Sequence, residues 1–356
     1  MSVTASNDLA RRRSNTTHVL RTRDGRTHRL PLFLPVYQPK STLVPVENWE
    51  ARYGVEGCIV NAYFLYKNPE TRAAFMAGEK LHRYIGSNGL VMTDSGAFQG
   101  FTRRLFLENR KIVAFQEKIG ADIVSPLDLV TPPGDNRTVA ERKLKVTLAR
   151  IREAKALVAR GLLAGVQQGG RFHDLRRSSS ESLMEIGVEY VAIGSLVPFF
   201  NRNQNLSFVG RVLREARTII RPDIPVHVYG AGDPLELPFM VALGADIFDS
   251  SSYGHYAAGG WYMTPFGALT DAGPLIAGEY SCDCHVCSSN DDWTMIFGSE
   301  SALAAHNLWT ILKTIRDVRE ALSAARLDLF LNGILEQHRS WFPQSALNES
   351  WNSLHD

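Results

Sequence analysis

Cys282, Cys284 and Cys287 stand in the short run Cys-Asp-Cys-His-Val-Cys, and His306 follows on a stretch of helical periodicity. Thiolates and an imidazole are ligands that suit tetrahedral Zn2+, and a tight cysteine knuckle completed by a distant helical histidine supplies four of them. Two other arrangements fit the same residues: a cluster of free thiols, or His285 inside the knuckle standing in for His306. Four protein ligands leave no open position for a substrate, so the expected zinc is structural. Cys58 lies in the apolar run Cys58-Ile59-Val60 and reads as a small buried hydrophobe, so no disulfide framework is expected.

A second set of polar residues follows a series of short apolar runs. Thr93-Asp94-Ser95-Gly96-Ala97-Phe98-Gln99 follows one, and Asp128 follows the next. Gln167-Gln168-Gly169-Gly170, Ile193-Gly194-Ser195-Leu196, Tyr229-Gly230-Ala231-Gly232 and Phe248-Asp249-Ser250 end the later ones. Taken singly, an aspartate at such a junction is more often a cap or turn residue, a glycine serves a tight turn, and Phe98 and Tyr229 fit plain packing. Gathered at one mouth, the carboxylates would repel, and at least one would carry a raised pKa and hold a proton. A flat aromatic, an amide and a carboxylate together suit a planar heterocycle with both donors and acceptors.

The elements that must position these residues are legible as eight candidate strands: Leu32–Tyr37, Cys58–Phe64, Leu90–Thr93, Asp122–Leu127, Leu162–Gln167, Tyr190–Val197, Val226–Tyr229 and Ala245–Phe248. Most are continuous rather than alternating, as strands buried on both faces should be. Between them the clearest helix spans Thr138–Ala159, with Thr138-x-x-Glu141 as a capping box. This order predicts an α/β fold, a (β/α)8 TIM barrel, whose chemistry collects at the C-terminal ends of the strands. A doubly wound open sheet is the alternative, although no Gly-x-Gly-x-x-Gly follows the first strand. Ahead of the barrel, Asp24-Gly25 signals a hairpin turn.

Residues 1–17 read as a disordered basic N-terminus, 18–325 as the catalytic domain with a zinc subdomain at about 275–325, and 326–356 as a C-terminal helix and tail. The 356 residues carry a net charge of only +2, so a globally basic nucleic-acid binder is excluded. The charge is uneven: Arg11, Arg12, Arg13, Arg21, Arg23, Arg26 and Arg29 face only Asp8 and Asp24, a cluster suited either to phosphates or to a solvated terminus. No stretch is apolar enough to span a membrane and no signal core opens the chain, so a cytoplasmic protein is expected.

From about residue 30 to 325 the sequence resembles the tRNA-guanine transglycosylase superfamily. The pieces that carry the likeness are Thr-Asp-Ser-Gly-Ala-Phe-Gln, Ile-Gly-Ala-Asp-Ile-Val-x3-Asp, Gln-Gly-Gly, Ala-Ile-Gly, Gly-Ala-Gly-x-Pro, Phe-Asp-Ser and the Cys-x-Cys-x2-Cys…His site. Asp249 through Tyr253 and Tyr262-Met263-Thr264-Pro265 are similar to the archaeal-type catalytic domain. The resemblance implies a (β/α)8 barrel with a structural zinc subdomain. It also implies exchange of a guanine in a polynucleotide for a 7-deazaguanine, through a covalent glycosyl-enzyme. On it, Asp249 resembles the nucleophile and Asp94 the general acid and base. Asp128, Gln168 and the backbone of Gly194, Ser195 and Leu196 resemble the groups that bind the base edge, and Phe98 and Tyr229 those that sandwich its faces.

The departures matter. Gly194-Ser195 stands where the family usually has Gly-Gly, and the loop Gly254–Gly260 lacks the charges relatives carry. The archaeal tRNA enzymes append RNA-binding domains, whereas this chain stops after the zinc helix. That makes the DNA-modifying branch, which inserts 7-deazaguanines such as preQ0 into DNA, the favoured expectation, with tRNA as the alternative. A homodimer and a helper ATPase are compatible partners. From other functional classes, a non-catalytic nucleic-acid-binding subunit would be favoured by loss of the Asp249 carboxylate, and a zinc hydrolase would need an open metal position.

Overall fold

In a computed structural model, residues 19–39, 43–97, 107–200, 203–289 and 292–354 are described. Strands β1 (Val19–Arg21) and β2 (Thr27–Arg29) form the expected hairpin around Asp24-Gly25, with Gly25 at φ +91°. Eight parallel strands then close into a barrel: β3 (Leu32–Tyr37), β4 (Gly57–Asn61), β5 (Leu90–Asp94), β6 (Ile123–Val124), β7 (Leu162–Gln167), β8 (Tyr190–Ile193), β9 (Val226–Val228) and β10 (Ile247–Ser250), with β10 paired to β3.

Closure explains why the apolar runs do not alternate. Leu32, Leu34, Ile59, Leu90, Met92, Ile123, Leu162, Tyr190 and Ile247 fill the interior, which Leu20 of the hairpin joins. Their sequence neighbours Phe33, Cys58, Val91, Val124, Leu163 and Val191 face outward and form a second core under the helices. Both faces of each strand are therefore buried, and each such Leu or Ile contributes roughly 1.5–3 kcal/mol.

Several sequence expectations need correction at their ends. The Cys58–Phe64 run leaves the sheet at Asn61, whose side-chain oxygen accepts from Phe64 N at 3.2 Å and caps a helix over Ala62–Lys67. Asp122–Leu127 supplies only the two residues of β6, and Tyr190–Val197 stops at Ile193, with Val197 opening a 3-10 turn. The long helix runs Arg137–Lys155, and its cap is Asn136 (3.0 Å to Val139 N), while Glu141 pairs instead with Arg137 at 2.9 Å. Past residue 326 the described residues form two helices, Leu327–Trp341 and Leu347–Ser353, and buried Leu347 and Leu354 dock the second.

Two arginines of the hairpin, Arg23 and Arg26, are spent at the end of the barrel where strands begin. Arg23 meets Glu189 (2.6 Å) and the Gly161 carbonyl (3.1 Å). Arg26 meets Asp24 (2.8 Å) and Asp122, which also accepts from Val91 N (2.8 Å). These two side chains therefore anchor the hairpin rather than reach phosphates near the mouth. Arg11, Arg12 and Arg13 lie outside the described residues. Among the described residues no helix is long and apolar enough to cross a membrane.

The helix Glu300–Ser323 buries Leu303, Leu308, Ile311, Ile315 and Val318. Arg319 ties it to the entry of β3, donating to the carbonyls of Pro31 (2.8 Å) and Arg29 (2.7 Å).

Candidate active site and metal centre

The strand ends bring three carboxylates to one mouth. Asp94 is the last residue of β5 and sits in register beside Asn61 of β4, whose amide nitrogen donates to Asp94 Oδ2 at 3.0 Å. One asparagine thus caps a helix and aims a carboxylate. Burial pushes the Asp94 carboxyl up to about 7, and the charges of Asp128 and Asp249 add to it, against backbone N–H groups of Gly96 and Ser95 that pull it down. Asp128 is also raised, by burial first, while the Gln168 amide, its own backbone N–H and Arg150 oppose the shift.

A stability prediction follows from Asp94 alone. With its pKa raised from 3.8 to about 7, the folded chain keeps a proton that the unfolded chain has released, so stability falls as pH rises through that window. Asp94→Asn is therefore expected to stabilise the fold by roughly 2 kcal/mol at pH 8, discounted for partial exposure, and by nothing at pH 3.5. Thermal melts at the two pH values check this. An equal effect at both would show that the carboxyl is not perturbed.

Asp249, on β10, is 9% exposed. Its Oδ1 accepts from Gly230 N at 3.2 Å and lies 2.8 Å from His227 Nε2. Gly230 is favoured there by φ +76°, and a Cβ would also push on Val197 Cγ2, 2.4 Å away. His227 is fully buried on β9, with its Nδ1 2.8 Å from the Tyr190 hydroxyl and its ring edge-to-face with both Tyr190 and Tyr229. Tyr229 reaches Ser125 Oγ at 3.1 Å and feels the charges of Asp94, Asp128 and Asp249. Burial and these charges push its hydroxyl well above the usual tyrosine range.

Gln168 is placed differently from an open base-binding amide. It is 0% exposed, its Nε2 donates to Asp128 Oδ2 at 2.6 Å, and its Oε1 accepts from Ser195 Oγ at 2.8 Å. Gly194 contributes by lacking a side chain, since a Cβ there would stand 2.6 Å from Gln168 Nε2. Its carbonyl accepts from the buried guanidinium of Arg176 (3.3 and 3.2 Å), and its N–H donates to the Gln167 carbonyl (3.0 Å). The Leu196 side chain is buried, and its carbonyl accepts from Phe199 N at 2.8 Å. Phe98 lies outside the described residues.

Asp94, Asp128, Asp249, Gln168, Ser195 and Tyr229 thus share the mouth. His227, Asn61 and Arg176 join them without having been singled out by sequence. For His227 a signal existed: it precedes Tyr229 by two in the run Val226–Tyr229, and period two puts both on one face.

At the knuckle, the Sγ atoms of Cys282, Cys284 and Cys287 each lie 3.5 Å from His306 Nδ1. The four ligand atoms lie within 4.8 Å of one another, a group that could hold a metal ion. A tetrahedral zinc with ordinary Zn–S and Zn–N lengths puts sulfur about 3.5 Å from nitrogen, so the donor set fits. His306 Nε2 lies 2.8 Å from the Met263 carbonyl, which holds the proton on that nitrogen and leaves Nδ1 for the metal. The Tyr262 ring stacks on the imidazole at 3.6 Å. His285 points elsewhere, against Tyr53 at 5.2 Å.

The profile of the family described as queuine tRNA-ribosyltransferase matches residues 13–340. A protein named tRNA-guanine(15) transglycosylase from Methanopyrus kandleri is 36% identical over 326 residues, covering 89% of this chain and 69% of that relative. Proteins of the same name from Pyrococcus furiosus (36% identical; 85% and 52% covered) and Methanosarcina mazei (34%; 83% and 60%) are also similar. The chain therefore spans about half the length of the Pyrococcus relative. With a closed barrel, three carboxylates at its mouth and this breadth of match, the chain belongs to the queuine tRNA-ribosyltransferase family of pentosyltransferases.

Proposed function

We propose that the protein exchanges a guanine in tRNA for a 7-deazaguanine such as preQ0, by double displacement at the barrel mouth. The observation that carries the chemistry is Asp249: a carboxylate that accepts from the Gly230 N–H and lies 2.8 Å from His227 Nε2, beside a second carboxyl, Asp94, with a pKa of about 7. The names of the relatives favour tRNA over the DNA expected from the sequence.

Asp249 attacks C1′ of the flipped-out nucleotide, forming a C1′–O bond as the C1′–N9 bond breaks. Asp94 in its acid form gives a proton to the departing guanine. The incoming base then loses its N9 proton to the Asp94 carboxylate and displaces Asp249, so two inversions give net retention. A carboxyl near pH 7 can serve in both directions. Asp128 accepts hydrogen bonds from the base edge, and Tyr229 covers a face. Cys282, Cys284, Cys287 and His306 would hold Zn2+ with all four positions filled by protein, so its contribution there would be to tie the knuckle to the Glu300–Ser323 helix.

Incubation with labelled preQ0, unfractionated tRNA and duplex DNA in parallel tests the reading. Label is expected in tRNA. Label in DNA alone would transfer the same chemistry to the other polymer, and label in neither would overturn the proposal. Within it, His227→Gln is expected to slow formation of the covalent intermediate about 10²-fold by releasing the carboxylate, with the base KM unchanged. Single-turnover trapping measures this, and an unchanged trapping rate would remove His227 from the nucleophile's support.

A further inference from the structure

Ser195 is a non-glycine residue at φ +58°, a left-handed conformation that L side chains avoid, and it sits in the mouth between β8 and the residues that follow it. Its hydroxyl occupies a defined place in a chain of hydrogen bonds. Ser195 Oγ accepts from Thr131 N at 2.9 Å and donates to Gln168 Oε1 at 2.8 Å. The Gln168 amide is thereby polarised: its oxygen faces the serine, so its nitrogen faces Asp128 Oδ2, at 2.6 Å. Asp128, as a carboxylate, can only accept there, so both ends require the same orientation. The chain joins the loop after β6, the end of β7 and the end of β8.

We propose that Ser195 is a specificity-determining positioning residue: through Gln168 it holds the Asp128 carboxylate in the one orientation that accepts the 1-NH and 2-amino groups of guanine-type bases. This rests on the assignment of Asp128 to the base edge made above. Gln168 is fully buried with both ends of its amide engaged, so its position is coupled to that of the Asp128 carboxylate. The hydroxyl and the carboxylate fix from opposite ends where that amide lies. Without the hydroxyl, Gln168 Oε1 and Thr131 N each lose a partner, and the amide is held only at its Asp128 end, so amide and carboxylate together gain freedom to shift.

The positive φ supplies a control that separates this role from a packing role. Ser195→Gly removes the hydroxyl at a position whose backbone favours glycine, so the fold should melt at or above the wild-type temperature. The same variant should raise the KM for free guanine about tenfold, the effect of roughly one lost hydrogen bond, with kcat little changed. Its preference for guanine over hypoxanthine, which lacks the 2-amino group, should fall by a similar factor. Ser195→Ala keeps the unfavourable φ and loses the hydroxyl, so it should share the KM defect and melt lower than Ser195→Gly. Exchange of labelled guanine and hypoxanthine into tRNA, run on wild type and both variants, reads all of this. Wild-type exchange with an unaltered KM and base preference in Ser195→Gly would overturn this inference alone. Failure of the wild type to exchange guanine into either tRNA or DNA would overturn the transglycosylase reading, and this inference with it.

Discussion

Asp249→Asn should reduce base exchange by at least ~10⁴-fold and abolish the covalent intermediate, while leaving the barrel folded. Asparagine is the informative replacement because its Oδ1 can still accept from the Gly230 N–H that Asp249 uses at 3.2 Å. The residue is 9% exposed and closely surrounded, so an isosteric change avoids the cavity an alanine would leave. The amide cannot supply the oxygen nucleophile, and the residual rate reports binding and proton handling alone. A second consequence is electrostatic. Asp249 is one of the charges that raise Asp94, so its neutralisation should lower the Asp94 pKa from about 7. The pH dependence of guanine binding to Asp249→Asn should move to lower pH accordingly. Retention of more than a few per cent of wild-type exchange would mean that another group forms the bond to C1′. An intact adduct in gel shift would say the same.

Loss of a metal ligand is expected to give the largest effect on stability. His306→Ala removes the imidazole whose Nδ1 lies 3.5 Å from all three sulfurs, and also the ring on which Tyr262 stacks. The same helix carries Asn307, which accepts from Met263 N at 2.9 Å and donates to the Trp261 carbonyl at 3.0 Å. A knuckle released from this helix therefore loosens the polypeptide that follows β10 as well. The expected cost exceeds ~4 kcal/mol, a drop in melting temperature of roughly ten degrees or more. Metal analysis should find one zinc per chain in the wild type and none in the variant, and a strong chelator should lower the wild-type melting temperature toward that of the variant. A metal-free variant that melts like the wild type yet exchanges no base would make the metal a participant in the reaction instead of a clamp.

Much of this molecule is written locally. Runs such as Leu32–Tyr37 and Leu162–Gln167 match β3 and β7 residue for residue, because a strand buried on both faces needs consecutive apolar residues. The three cysteines of the knuckle were equally legible, since they are set by spacing within a few residues, whereas the choice of His306 over His285 was made by the fold. Boundaries were less so. Asn61 reads as the continuation of an apolar run, yet its side chain can satisfy the first amides of a helix, and that capping ends β4. Asn136 outcompetes Thr138 as a cap for the same kind of reason.

The sequence by itself determined that carboxylates and glycines would follow successive strands, and that a Cys3His set was present to take a metal. Only the tertiary structure decided what those residues do to one another. Barrel closure brings Asp94, Asp128 and Asp249 close enough that burial and mutual repulsion lift one carboxyl to about 7. It buries Gln168 behind Asp128, sets His227 against Asp249, and turns the Arg23 and Arg26 side chains to the opposite end. The physical reason is range. Strand formation and metal spacing depend on neighbours in the chain, whereas desolvation and charge coupling are sums over residues that are distant in sequence and meet only when the eighth strand pairs with the first.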